Sequence, residues 1–280
     1  MGVKIIVDST VDMADAVRAR VSAVVPLSVR FGEEEYKDGA TISASQFYEM
    51  LGRSAQLPTT SQPTPVAFED AYREATADGS QVVVITISSR LSGTYQSATI
   101  AAEDFPGKVF VVDSRTAAIG SGVLAEYALE LADRGMNGEE ILAELMEKRK
   151  LVRLYAMVDT LEYLKKGGRL SAAVAVVGGL LNIKPLICVD EDGLIQVAGT
   201  ARGIKKAFAT LSQESGKHGG VDYEKPFLVA YTGESDENMR KYLAENGQLW
   251  PEDTQTTIVG SAIGVHVGPG AVAVSFFSKE

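Results

Sequence analysis

Val82-Val83-Val84-Ile85-Thr86-Ile87 runs directly into Ser88-Ser89-Arg90-Leu91-Ser92-Gly93-Thr94. The first six residues are apolar or β-branched, as in a strand buried on both faces. The next seven supply hydroxyls and a glycine just where a helix would begin. A strand that ends in Ser/Gly/Thr before a helix can form an anion cradle, with side-chain donors and free backbone N–H groups at the positive end of the helix dipole. A second hydroxyl-rich loop reads Thr59-Thr60-Ser61-Gln62-Pro63. Either loop alone also fits ordinary capping or an ordinary turn.

Outward from this stretch, strand and helix signals alternate. Val3 to Val7 is a short apolar run ending in Asp8-Ser9-Thr10-Val11-Asp12, and Val24 to Val29 reads as a second strand. Ser43 to Leu51 reads as a short helix. Thr64-Pro65 opens another, with a capping Thr and Pro at the first helical position. Gly93 to Glu103 follows as a helix and Lys108 to Val112 as a strand. Two further helices follow, Ala118 to Arg134 and then one capped by Asn137. This alternation predicts a mostly parallel sheet with helices on both faces, and ligands in such sheets bind beyond the carboxyl ends of the strands. Asp8, Ser88 and Asp113 should therefore gather on one rim, as ligand contacts or as helix caps.

After about Leu151 the pattern changes. Ile183 to Val189 and Leu194 to Val197 flank Asp190-Glu191-Asp192-Gly193, a hairpin signal. Strand runs at 152–158, 227–231, 256–259 and 271–277 mix with helices at 160–166, 204–213 and 235–245. The expectation is α/β overall: an N-terminal α/β domain over residues 1–150 and a C-terminal α+β domain with a mixed sheet over 151–280.

With 280 residues and 45% hydrophobic content, the chain can bury a sizeable core. A net charge of −10 argues against nucleic acid as a partner. Leu161 to Thr210 is locally basic, with seven Lys/Arg against four acids, which fits a docking patch or chance scatter on a solvated surface. The single cysteine, Cys188, permits no disulfide within the chain and suits a reducing cytoplasm. No signal peptide is evident. The longest apolar stretch, Ala172 to Leu181, is too short to span a bilayer.

Two more constellations bear on chemistry. Gly264-Val265-His266-Val267-Gly268-Pro269-Gly270 reads as a tight loop around one of only two histidines. His266 there suits either a satisfied core position or a phosphate or carboxylate contact. Lys165-Lys166-Gly167-Gly168-Arg169-Leu170-Ser171, with Gly199-Thr200-Ala201-Arg202-Gly203, sets guanidinium groups beside glycines, which fits an oxyanion contact or helix-end cations. There is no Walker loop, no His-Glu-x-x-His, no paired-Cys metal spacing, no dinucleotide fingerprint and no nucleophile elbow.

Taken in order, these residues resemble the DegV family. The resemblance rests on Asp8-Ser9-Thr10, Tyr36-Lys37-Asp38-Gly39, Thr60-Ser61-Gln62-Pro63, Ser88-Ser89 with Leu91 to Tyr95, Asp113-Ser114, Leu161 to Arg169, Asn182 to Pro185, Arg202, and His266 with Gly268-Pro269-Gly270. It implies a two-domain fold that encloses one long-chain fatty acid between the domains. It also implies a carrier subunit, itself without a complete catalytic centre, that presents the acyl carboxylate to a separate ATP-binding fatty acid kinase for acyl-phosphate formation. By this resemblance Thr60, Ser61, Ser92 and Gly93 grip the carboxylate, and His266 and Arg202 assist phosphoryl transfer or kinase engagement. The basic residues Lys165, Lys166 and Arg169 are candidates for docking the partner. Val174, Val176, Val177, Leu180 and Leu181 are candidate walls of the acyl tunnel. No cofactor or metal is expected beyond the bound lipid, the location is expected to be cytoplasmic, and membrane contact at most transient. Two other readings remain open: an enzyme acting on a small phosphorylated or carbonyl substrate through His266, and a lipid-sensing regulatory protein.

Overall fold

The structure, a computed structural model, describes residues 2–170 and 182–279. The five candidate wall residues between Val174 and Leu181 lie outside them. The N-terminal half runs β1 (Val3–Asp8), α1 (Asp15–Arg18), β2 (Ala23–Val25), β3 (Ser28–Phe31), β4 (Glu34–Lys37), α2 (Ala44–Arg53), β5 (Thr59–Ser61), α3 (Pro65–Thr76), β6 (Gln81–Thr86), α4 (Thr94–Ala102), β7 (Val109–Asp113), α5 (Ala118–Asp133) and α6 (Gly138–Lys148). The rest runs β8 (Val152–Met157), α7 (Glu162–Lys166), β9 (Ile183–Val189), β10 (Ile195–Arg202), α8 (Ile204–Ser215), β11 (Phe227–Tyr231), α9 (Glu237–Glu245), β12 (Thr256–Ile258), α10 (Ser261–Val267) and β13 (Val272–Phe277).

The fold is α/β, with a parallel sheet of order β2-β1-β6-β7 in the first half and a mixed sheet of order β10-β9-β8-β13-β11-β12 in the second. β6 lies inside the first sheet, and its residues Val82 to Thr86 are fully buried, as a strand covered on both faces requires. The run read as one strand from Val24 to Val29 is two: Pro26, with no N–H to donate, separates β2 from β3, and these join different sheets. β3 belongs to a small antiparallel sheet of order β4-β3-β5.

α5 sits between the two large sheets. Its apolar residues pack against β1 and β6 on one side and β8, β11 and β13 on the other, within one continuous hydrophobic cluster. A helix apolar around most of its girth fits that position. A separate cluster joins the small sheet to α2 and α10 through Val29, Phe47, Tyr48, Ala262 and Val265. It places α10, which carries His266, against β3 and β5.

Candidate functional site

The loops that follow the strands form one rim, as expected, but their carboxylates mainly tie loops together. Asp8 accepts the backbone N–H groups of Thr10 and Ile87 at 2.8 Å each, together with the Thr10 hydroxyl, so the end of β1 is strapped to the end of β6. Complete burial pushes its carboxyl up to about 6. Asp113 likewise takes Ser89 N at 3.0 Å and Ser89 Oγ at 2.6 Å. Ser88 Oγ donates to Gly193 O at 2.8 Å, which seats the β9–β10 hairpin on the end of β6.

Thr60 is not in a loop. It is the middle residue of β5, opposite Val29 of β3. Because side chains alternate along a strand, Thr60 turns toward α10 while Thr59 and Ser61 face solvent. His266 is not in a loop either: it occupies the last turn of α10, and only Gly268 to Gly270 form the turn. Gly264 lets that helix lie tightly against α2, since a Cβ there would come within 2.6 Å of the Phe47 ring and 2.8 Å of Tyr48 Oη.

These placements bring Thr60 Oγ1 within 3.0 Å of His266 Nε2, a hydrogen bond whose direction follows the imidazole tautomer. His266 Nδ1 is buried against Gly167, with no hydrogen-bond partner among the described residues. Burial, reinforced by the nearby Arg169 cation, holds the ring down to about 4, so it is neutral at pH 7. Ser92 Oγ lies 2.9 Å from Thr94 Oγ1 at the start of α4. Gly93 is the N-cap of α4 and serves a neighbour: a Cβ there would lie 2.1 Å from Gln62 Oε1. Gln62 Nε2 donates to Gly93 O at 3.3 Å and to Ser97 Oγ at 3.0 Å, joining the two hydroxyl-bearing segments. Gln62 was not among the sequence candidates, although its place beside Thr60-Ser61 was the available signal.

Thr60, Ser92, His266 and Arg169 together line a cavity that opens to solvent. Arg169 was expected to face a partner with Lys165 and Lys166. Its guanidinium instead turns inward, donating to Leu91 O at 3.2 Å and Gly167 O at 2.8 Å. Lys165 and Lys166 are exposed on the last turn of α7, and Arg202 is exposed at the end of β10. Of the sequence candidates, Ser61, Gly93, Arg202 and the two lysines do not line the cavity.

The remaining wall is mostly apolar, and one part of it belongs to the six-stranded sheet. Ala156, Ala273 and Ala230 stand side by side on β8, β13 and β11, with Ile187 next in the row on β9. Three methyl groups at positions where sheets usually present larger side chains leave a trough across the strands. Leu154, Cys188 and Val189 line both the cavity and a polar cleft that holds Arg115, Arg149 and Arg153. Among the described residues no three His, Cys, Asp or Glu side chains are grouped to hold a metal, and no helix is long and apolar enough to cross a membrane.

A mostly apolar cavity lined also by hydroxyls, a neutral imidazole and a guanidinium suits an apolar molecule with an acidic head. Comparison with known proteins is consistent with that shape. A Thermus thermophilus DegV family protein described as binding fatty acid superposes with a TM-score of 0.88 at 34% identity, covering 99% of this chain and 100% of that one. A Bacillus subtilis DegV, described as a fatty acid binding protein, superposes at 0.82 with 30% identity and full coverage of both chains. A DegV domain-containing protein of Deinococcus radiodurans is 37% identical over 280 residues, 98% of each chain. The family model described as "Uncharacterised protein, DegV family" matches residues 2–279. With sequence, fold and coverage in agreement, this chain belongs to the DegV family.

Proposed function

We propose that the protein binds a long-chain fatty acid in this cavity, between an α/β unit of residues 1–150 and an α+β unit of residues 151–280, and presents the carboxylate to a separate ATP-binding kinase subunit for acyl-phosphate formation. The observation that carries the reading is a cavity with a mostly apolar lining on which Thr60, Ser92, His266 and Arg169 supply head-group donors. Burying about 14 methylenes at ~0.8 kcal/mol each gives ~11 kcal/mol gross. Loss of freedom on association offsets much of this. The tail therefore supplies most of the affinity, and the polar end fixes the register of the chain.

In this reading Thr60, Ser92 and neutral His266 hydrogen-bond the carboxylate. Arg169, facing the same end, offsets the negative charge that grows as a phosphoryl group approaches. Arg202, Lys165 and Lys166, exposed on the C-terminal half, are available to the kinase. Native mass spectrometry of freshly purified protein tests the first step, with a bound fatty acid as the expected mass. For the second, His266→Ala is expected to keep its lipid while acyl-phosphate formation with the kinase falls. A variant that loses lipid yet retains turnover overturns the assignment.

A further inference from the structure

α10 has seven residues, too few to hold itself by its own hydrogen bonds, and its N-cap Gly260 has no side chain to cap it. The start of the helix is held from the other half of the chain. Asp12, on the loop after β1, accepts Gly260 N at 2.7 Å, and Asp38, just after β4, accepts Ser261 N at 2.9 Å. Both carboxyl groups sit against the same glycine: a Cβ on Gly260 would lie 3.1 Å from Asp12 Oδ1 and 3.5 Å from each Asp38 oxygen. Each keeps a buried Oδ2 with no hydrogen-bond partner among the described residues. Ala262 and Ile263, in the first turn, line the cavity, and His266 meets Thr60 about 9 Å along the axis from Gly260 at ~1.5 Å per residue.

We propose that Asp12 and Asp38 are positioning residues for His266: by gripping the first free N–H groups of α10 they set where its last turn, and so the imidazole, meets Thr60 and the ligand head. The inference rests on the fatty-acid reading for its ligand but not for its geometry. The two carboxyl groups act as hydrogen-bond acceptors toward Gly260 N and Ser261 N. Burial raises both above the ordinary carboxylate value, Asp12 well above it, and Asp38 adds to the difficulty of ionising Asp12. Arg18 is the cation that favours ionised Asp12, while Asp8 disfavours it. Because one carboxyl oxygen of each residue accepts the N–H, the oxygen of an amide of the same shape can fill that role.

The test compares Asp12→Ala and Asp38→Ala with Asp12→Asn and Asp38→Asn in the full chain. One readout is the ratio of affinities for palmitate and 1-hexadecanol, which share a tail and differ in the head. The Ala variants are expected to lower that ratio about tenfold, the worth of one displaced head-group hydrogen bond, and the Asn variants to restore it to within about threefold. A second readout needs no lipid: the ring 15N signals of His266 should shift in the Ala variants and return in the Asn variants. Should the Ala variants not fold, Gly260→Ala leaves both carboxyl groups in place, crowds them, and should give the same two changes. Ala variants that lose thermal stability but keep both the ratio and the ring signals reduce the pair to a structural role and overturn the proposal. Asn variants no better than Ala overturn the acceptor assignment. Wild-type protein that does not prefer palmitate defeats the fatty-acid reading, and the ring signals then decide the positioning on their own.

Discussion

Ala273→Leu separates a ligand cavity from a poorly filled core. Ala273 is in the middle of the alanine row, between Ala156 and Ala230, and is 8% exposed. Leucine adds three carbons there. In a packed interior such an insertion forces strain of about 1–3 kcal/mol. In an open trough the same carbons are buried without a clash, giving roughly 2 kcal/mol at ~0.8 kcal/mol per carbon. For a chain of this size that raises the midpoint of thermal unfolding by about 4 °C. The carbons also occupy the volume of about three ligand methylenes, which lowers palmitate affinity about 50-fold. The assay is thermal unfolding of delipidated protein, followed by calorimetric titration with palmitate. The expected pair of results has opposite signs: a more stable empty protein and a weaker complex. A delipidated variant that melts lower, with palmitate affinity within about twofold of wild type, would refute the open trough.

Gly167→Ala needs no backbone change, since φ is −75° there, but its Cβ would lie 2.2 Å from His266 Nδ1; loss of the Thr60–His266 bond should cost about 1 kcal/mol, visible as a lower unfolding midpoint and a displaced His266 ring signal. Stability should depend on pH through His266 with a definite sign. Its pKa falls from 6.5 to about 4 on folding, so the contribution is present above pH 6.5 and is lost as pH drops through 4, an effect of roughly 3 kcal/mol. Asp8, raised to about 6, works in the opposite direction over much of the same window. The measurement is therefore the stability of wild type minus that of His266→Gln from pH 7 to 4, and a flat difference contradicts the assignment. Cys188 lines the cavity and its thiol is pushed up by burial, so alkylation at pH 7 should be slow and should slow further when palmitate is bound, as followed by mass spectrometry.

Much of this architecture was legible because the large sheets advertise themselves. β6 and β7 are continuous apolar runs closed by Ser and Asp, and the helices α3 and α6 on either side of them carry the caps Thr64 and Asn137. The small sheet was not legible. Glu34–Lys37 is polar and mostly exposed, Thr59–Ser61 is three hydroxyl residues, and both are strands only because β3 lies between them. That pairing is a non-local fact, and without it Thr60 and Ser61 look equivalent. Alternation along β5 makes one inward and the other solvated. At His266 the glycines misled for a different reason. They signalled a turn, but Gly264 serves a close helix contact with Phe47 and Tyr48. The charge of Arg169 was plain in the sequence, whereas its direction depends on the carbonyls of Leu91 and Gly167.

The placement of α5 has a consequence for any attempt to cut the protein in two. Its side chains complete the interior of both large sheets, so severing the chain near residue 150 would leave an N-terminal fragment with a bare greasy helix and a C-terminal fragment lacking one wall of its interior. Neither piece should be recoverable as a soluble folded unit alone, whereas mixing the two should regenerate a single species that melts in one step.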